Sequence, residues 1–377
     1  MNLSLSEEQL LIKSSAEKFF SEKLTFEKRN QILNNNNNLN KFFFLKEFID
    51  LGWFALPFND KFGGLKGSIT DIMSLIEVFG ASLHIDPYIF SLLFPGKLIE
   101  SFCDEEKKTN LLKKLIEGEL VLSFCFSEPN MRFNNLKINS KVNIRDNKYY
   151  ITGKKNLIIG GEKADFLIVP VSDENKNIYL FLLNNKDKRL VSQCYSMIDD
   201  YNALDCEFDN LELSENDLLV KVAYNEYISK IEYITDYIRL ACCTDALGVI
   251  DKMYDLTLEY TKTREQFGNK ISSFQVVQHR LVDMYICKEE MRSLNYMAQV
   301  SFDNVNEIER KKNISLNKIF LGSKAKNIAQ DCIQLHGGMG VAEEMQIGHY
   351  FKRLTSLCSL LGDINFHYKR YQENDKF

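Results

Sequence analysis

Two short segments in the second half of the chain carry residue types that suit the binding of a phosphate and a flat ring. In the first, Thr263–Gly268, an arginine ends a long helical pattern and a phenylalanine follows three residues later. The guanidinium fork of Arg264 matches phosphate oxygens two at a time. The ring of Phe267 can cover a flat ligand, and Gly268 is predicted to end the helix. Taken alone, a helix end with a surface arginine fits the same pattern.

The second segment, Gln334–Gly340, places three glycines within four residues. Glycines let a backbone approach a ligand closely and present N–H groups to an anion. The amide of Gln334 can hydrogen-bond a base edge or a phosphate. A glycine-rich turn between two helices has the same appearance, and His336 alone fits a packed loop histidine better than a base.

Three stretches of the chain, which differ in their residue patterns, must position these segments. Residues from about 5 to 120 show the apolar spacing of helices. From about 119 to 220, short β-branched or aromatic runs alternate with turn residues, which predicts an antiparallel sheet. Long amphipathic patterns then return without a proline, because all 5 prolines lie at or before Pro170. We predict an α+β fold with a helical domain (1–118), a β-barrel-like domain (119–221) and a C-terminal four-helix bundle (222–377).

Local patterns predict four particular features within these stretches. Ser6 followed by Gln9 is a capping box at a helix start. The segment Leu51–Gly64 is punctuated by proline and glycine as a structured loop. Arg145–Lys148 predicts a hairpin turn between two strands. The low-complexity run Asn34–Asn38 predicts an exposed loop between helices.

Composition excludes several classes of protein. The net charge of −5 and the lack of a basic stripe give no footprint for nucleic acid. The 9 cysteines are scattered without C-x-x-C or Cys/His spacing, so we expect no zinc site and a reducing compartment. The first residues lack the pattern of a signal peptide, and no apolar stretch approaches the roughly 20 residues of a membrane span. A cytoplasmic protein is therefore predicted.

The two segments, with Phe274–Leu281 (FQVVQHRL) between them, occur in the order typical of the acyl-CoA dehydrogenases. The chain resembles that family over nearly its whole length. Leu51–Gly64 looks like the family's N-terminal loop, and Phe126–Pro129 (FSEP) looks like its T-E-P segment. Residues 151–169 (ITGKKNLIIGGEKADFLIV) look like its N-G-x-K segment. The resemblance implies a fold that is helical, then β, then helical.

The resemblance also implies an FAD-dependent enzyme that desaturates an acyl-CoA thioester. In the family a Glu removes the α-proton, and the β-hydrogen passes as hydride to the flavin. One FAD is shared between two subunits, with its ring in one and its ADP moiety gripped by the other, and an electron-transfer flavoprotein is the expected acceptor. Ser127 keeps a hydroxyl at the Thr position of T-E-P. The ADP-gripping positions are all kept here, as Arg264, Phe267, Gln275, Gln334, Gly337 and Gly338.

The catalytic base of the family has no counterpart at either of its known positions. The usual base is a Glu before a Gly near the C-terminus, and that Gly corresponds to Gly362, which leaves Leu361 at the base position. The alternative position lies ten residues before Gly248, at Ile238. Leucine and isoleucine cannot accept a proton, so no catalytic residue is identified in this chain.

The flavin-facing segments depart from the family as well. Where the family has Trp, Ile and Thr, this chain has Leu157, Ile158 and Ile159. The ring that packs on the isoalloxazine and the hydroxyl that hydrogen-bonds it are therefore missing. The small residues that follow T-E-P in the family are replaced by the bulky stretch Asn130–Asn134, which argues against a close backbone approach.

This uneven pattern is what a non-equivalent subunit of a heteromeric dehydrogenase should have. The C-terminal residues 349–371 resemble the small subunits of heterotetrameric acyl-CoA dehydrogenases, such as pimeloyl-CoA dehydrogenase and the steroid side-chain enzymes. We predict that this chain is such a small subunit. Its partner, a second acyl-CoA dehydrogenase-like subunit, would then carry the base and the isoalloxazine pocket. The acyl group of the substrate cannot be read from the sequence.

Three alternatives stay open at this point. A self-sufficient homo-oligomer would need a displaced base, for which Asp363 and Asp236 are the candidates. Each also suits a solvated or capping aspartate. A non-catalytic CoA- or flavin-site paralogue would not need to keep Arg264 and Gln334. Flavin-dependent oxygenase or nitroalkane-oxidase chemistry would again need a base.

Overall fold

A computed structural model describes residues 5–34, 42–133 and 137–375. The predicted loop at Asn34–Asn38 lies outside the described residues except for Asn34, and Asn134 lies outside them as well. The described residues form two compact units. The helical unit comprises residues 5–34, 68–84 and 239–375, and the sheet unit comprises 42–67, 85–133 and 137–238.

The first third of the chain is helical, as predicted. Two of its helices begin at capping boxes: the Ser6 hydroxyl accepts from the N–H of Gln9, whose side chain accepts in return, and Ser68 and Asp71 form the second. A π-helical turn at Ile89–Leu93 precedes the fifth helix. The helices are α1 (Glu7–Lys23), α2 (Phe26–Asn34), α3 (Leu45–Asp50), α4 (Ile69–Ala81), α5 (Phe94–Phe102) and α6 (Glu105–Ile116).

The described residues in the middle of the chain form an eight-stranded sheet. Its strands are β1 (Leu122–Phe124), β2 (Lys141–Arg145), β3 (Lys148–Ile159), β4 (Phe166–Ser172), β5 (Ile178–Asn184), β6 (Val191–Ser196), β7 (Asn202–Leu213) and β8 (Leu218–Val222). The order is β6-β7-β3-β2-β4-β5-β8, with β1 beside β4. The sheet is largely antiparallel as predicted, although β4 pairs in parallel with β1 and β2. The predicted hairpin turn joins β2 to β3, with Asp146 and Asn147 at φ 49° and 57°.

The last part of the chain is helical again. It begins with a helix of 40 residues, α7 (Tyr224–Thr263), which no proline interrupts. A small hairpin follows, formed by β9 (Glu265–Gln266) and β10 (Asn269–Lys270). The remaining helices are α8 (Gln275–Ser301), α9 (Glu307–Phe320), α10 (Lys326–His336), α11 (Gln346–Ser359) and α12 (Ile364–Glu373). The predicted succession of helical, sheet and helical domains is confirmed.

Backbone contact between α4 and α7 holds the core of the helical unit together. A Cβ added to Gly248 would lie 1.9 Å from the Glu77 carbonyl oxygen, and one added to Gly80 would lie 2.0 Å from that of Asp245. Any larger residue at either position would therefore push the two helices apart. Within the described part of the chain, the helices are too short or too polar to cross a membrane.

Candidate functional site

Arg264 stands at the end of α7, as the sequence predicts. The helix ends at Thr263, and the next residue, Arg264, is exposed. The backbone N–H of Arg264 still donates to the Tyr260 carbonyl at 2.9 Å. The prediction that Gly268 ends this helix is wrong. Phe267 and Gly268 instead form the turn of the β9–β10 hairpin, with φ 56° and 78°, because both turn residues adopt the left-handed conformation that tight hairpins require.

Phe267 presents its ring to solvent. The residue is 92% exposed, which is unusual for a phenylalanine, and its ring meets Phe274 edge-on at a centroid distance of 6.3 Å. Phe274 is the N-cap of α8, so the exposed Gln275 begins that helix beside the hairpin. A flat partner could therefore stack on Phe267 without displacing any core residue.

The glycine-rich segment follows the end of α10 and leaves its backbone open. Gln334 lies in the last turn of the helix and is exposed. Gly337 has φ 61° and ψ −142°, a conformation that side chains rarely allow. A Cβ at Gly337 or Gly338 would meet no atom within 4 Å, so packing within the fold does not require glycine at these positions. Their accessible backbone fits a role in binding.

One contact that the sequence did not reveal brings the two motifs together. Tyr260, one turn before Arg264, stacks on His336, with ring centroids 4.3 Å apart, and its hydroxyl donates to the His336 carbonyl at 3.3 Å. His336 Nδ1 donates to the Cys332 carbonyl at 2.8 Å, and burial lowers the pKa of this histidine. His336 is thus a neutral packing residue, as its context in the sequence suggested. The sequence signal that could have indicated this contact is the aromatic residue four positions before Arg264.

Ser127 lies in the sheet unit and is almost fully buried. Its carbonyl accepts from the N–H of Asn156 at 3.0 Å, which joins the FSEP segment to the strand β3 just before the altered Leu157. Asn130 and Arg132 adopt φ 65° and 46°, so bulky residues here take a conformation that favours glycine.

The two positions at which the resemblance predicts a base hold buried apolar side chains. Leu361 is 3% exposed and Ile238 is 0% exposed. The turn at Leu361 is held from inside the helical unit: Arg239 Nε donates to the Leu361 carbonyl at 2.9 Å, and Lys318 Nζ donates to the Leu357 and Leu360 carbonyls at 2.8 Å. These hydrogen bonds fix the backbone of the turn. The leucine side chain at position 361 cannot accept a proton.

The two candidate replacement bases lie in different settings. Asp363 is the N-cap of α12, and its Oδ1 accepts from the Phe366 N–H at 2.8 Å. Asp236 is 0% exposed within α7. In the part of the chain that the structure describes, no group of His, Cys, Asp or Glu side chains is arranged to hold a metal ion.

Two family models match the chain. The acyl-CoA dehydrogenase N-terminal domain matches residues 6–119, and the acyl-CoA dehydrogenase C-terminal domain matches residues 230–371. The chain belongs to the acyl-CoA dehydrogenase family. The predicted membership is confirmed, and with it the prediction of an oxidoreductase of this class.

Individual relatives are distant but similar over most of their length. The 3-(aryl)acrylate reductase of Clostridium sporogenes is 23% identical over 323 residues, which cover 82% of this chain and 83% of that protein. The short/branched chain specific acyl-CoA dehydrogenase of Bos taurus is 24% identical over 360 residues, covering 93% of this chain and 81% of the relative. A chain of the ChsE4-ChsE5 complex from Mycobacterium tuberculosis has the same fold, with a TM-score of 0.87, 18% identity and coverage of 99% and 98%.

Proposed function

We propose that this chain is a subunit of an FAD-dependent acyl-CoA dehydrogenase that completes the FAD site of a partner chain and supplies no catalytic base. The observation that carries the proposal is a contrast within one chain. Every ADP-gripping position is kept and exposed, whereas both base positions are apolar and buried. A subunit that ran the whole reaction would need both sets of groups.

The ADP half of FAD fits the residues at the ends of α7 and α10. Arg264 would hold a phosphate through its guanidinium, and the open backbone at Gly337 and Gly338 would approach the pyrophosphate. Phe267 would cover a ring, and Gln334 would donate hydrogen bonds from its amide. Their exposure supports a role toward a ligand that a second subunit also binds. When bound, the flavin supplies the hydride acceptor for the oxidation.

The ring half of FAD fits this chain less well. The buried Ser127 keeps a hydroxyl, but Leu157 and Ile159 offer neither a stacking ring nor a hydroxyl. Proton abstraction would therefore belong to a Glu of the partner subunit, positioned over an acyl-CoA thioester. The ChsE4-ChsE5 structure, a complex of two differently named chains of which one matches this fold, supports a heteromeric arrangement. We place the complex in the cytoplasm, with an electron-transfer flavoprotein as its acceptor.

The test is to purify the chain alone and together with an acyl-CoA dehydrogenase-like chain that has a Glu at one base position. We expect the lone chain to lack stoichiometric flavin and to be inactive. The pair should form a heteromer in native mass measurements, show flavin absorption, and reduce an artificial acceptor with acyl-CoA. If the lone chain holds stoichiometric FAD and turns over fully, the proposal fails. A pair without any flavin absorption would instead indicate a non-catalytic paralogue.

A further inference from the structure

The rings of Phe267 and Phe274 meet in a geometry that aromatic pairs prefer. Their planes are inclined at 80° and their centroids lie 6.3 Å apart, within the range of roughly 4.5–7 Å for an edge-to-face pair. Phe267 is 92% exposed, so the contact buries little apolar surface. The contact therefore contributes little to the stability of the fold, but it limits the directions that the Phe267 ring can take.

The backbone of the hairpin fixes the point from which the Phe267 side chain leaves it. Phe267 and Gly268 form the turn, and the Ile271 N–H donates to the Arg264 carbonyl at 2.9 Å, which ties the hairpin to the end of α7. The ring is then free to move only about its own side-chain torsions. An exposed phenylalanine would populate several rotamers, and the edge of Phe274 removes some of them.

Phe274 is itself held in place by the start of α8. As the N-cap of that helix, its carbonyl accepts from the N–H groups of Val277 at 3.0 Å and Gln278 at 3.1 Å. The side chain of Gln278 reaches back, and its Nε2 donates to the Ser272 carbonyl at 3.0 Å. The turn before α8 is thus joined to the first turn of the helix, and the Phe274 ring stands on a fixed backbone.

Phenylalanine is a poor N-cap. The Phe274 side chain makes no capping hydrogen bond to the described first turn of α8, whereas Ser, Asp or Asn would accept one there. The helix therefore lacks a capping interaction at the position from which an aromatic side chain reaches Phe267. Contact with the hairpin, and not the stability of the helix, accounts for an aromatic residue at this position.

We propose that Phe274 is a positioning residue for the binding of FAD, because its ring holds the exposed Phe267 ring in the direction from which Phe267 stacks on a flat ligand. A ring that is already oriented loses less conformational freedom when the ligand binds, so the affinity rises without a further contact. Phe274 acts through Phe267. The inference rests on the proposed function for the identity of the ligand.

The variant F274N separates positioning from stability. It removes the ring and supplies the missing cap, since asparagine is a good N-cap, so the unfolding midpoint of the complex with the dehydrogenase-like partner should hold or rise. The Kd of that complex for FAD should nevertheless increase about fivefold, which corresponds to the loss of one aromatic pair. F274Y keeps the ring and should restore the wild-type Kd.

A matched control removes a different aromatic contact from the same helix. Tyr285 on α8 is 48% exposed and pairs with Tyr254 at a centroid distance of 5.8 Å. Y285N should leave the Kd for FAD at the wild-type value. A rise in Kd in Y285N equal to that in F274N would show that any loss of an exposed ring has this effect, and the positioning role of Phe274 would be wrong.

A second measurement reports the Phe267 ring without flavin. With para-fluorophenylalanine at position 267 of the flavin-free complex, the fluorine NMR signal should move toward that of the free amino acid in F274N and stay in place in F274Y. An unmoved signal in F274N overturns the proposal, as does an unchanged Kd in F274N when the wild-type complex binds FAD. Failure of the proposed function looks different, because the wild-type complex then binds no FAD at all and the positioning role is lost with it.

Discussion

Tyr260 and His336 stack at a centroid distance of 4.3 Å and an interplanar angle of 22°, although 76 residues separate them in the chain. Tyr260 precedes Arg264 by one helical turn, and His336 directly precedes Gly337. This contact joins the end of α7 to the end of α10. The proposed grip on the ADP moiety depends on that relationship.

Removal of the stack should loosen the grip without unfolding the chain. In Y260L the aromatic contact is lost, which should reduce the free energy of unfolding by about 1 kcal/mol. The flavin content of the purified complex should also fall in Y260L. Y254L is the matched control, because Tyr254 pairs with Tyr285 at 5.8 Å, away from both motifs. Equal flavin loss in both variants would contradict the role of the Tyr260–His336 contact.

Arg264 should matter through the shape of its guanidinium as well as its charge. R264K keeps the charge but loses the two-pronged hydrogen bond, so we expect FAD affinity of the complex to fall about tenfold or more. Stability should not change, since Arg264 is exposed. R280K is the control: Arg280 is on α8 and its guanidinium lies 3.5 Å from the Asp331 carboxylate. Fluorescence titration with FAD would measure both, and unchanged affinity in R264K would contradict the assignment.

Asp363 should serve as a helix cap and not as the base. Asparagine is an equally good N-cap, so D363N should leave both turnover and thermal stability of the complex unchanged. D363A removes the cap and should cost about 1 kcal/mol of unfolding free energy. If turnover in D363N falls to the background rate while the fold is kept, Asp363 is the base and the self-sufficient alternative gains support.

His367 should make the chain less stable at mildly acidic pH. Burial, followed by the charges of Arg239, Lys318 and Arg370, holds its pKa well below the ordinary value. The folded chain thus keeps His367 neutral, whereas the unfolded chain binds a proton below a pH of about 6.5. Stability is complete above that pH and falls as the pH drops below it.

Urea unfolding at pH 7.5 and 5.5 would measure this effect. His367 should account for a loss of about 1 kcal/mol over this interval. H367Q should show a flatter dependence on pH than the wild-type chain, and H279Q, at an exposed position, should not. A pH dependence in H367Q identical to that of the wild-type chain would exclude His367 as the source.

Much of the fold was predictable because its signals are local. The capping box of Ser6 and Gln9, the hairpin turn at Asp146 and Asn147, and the alternation of helical and strand patterns each depend on residues a few positions apart. The residue types at the predicted ADP-binding and base positions could also be read from the sequence, because each motif is a short run of neighbouring residues. The hairpin turn at Phe267 and Gly268 could not be predicted, since a glycine after a helix suits a helix end as well as a hairpin.

The sequence by itself therefore determined the family, the order of elements, and the residue types that stand at positions 264, 337 and 361. Only the tertiary structure decided that Tyr260 meets His336, that Phe267 is exposed, and that Cys206 lies opposite Lys155. These relationships join residues that are far apart in the chain. They depend on helix packing and strand register, in which many weak contacts act together and no short pattern records the outcome.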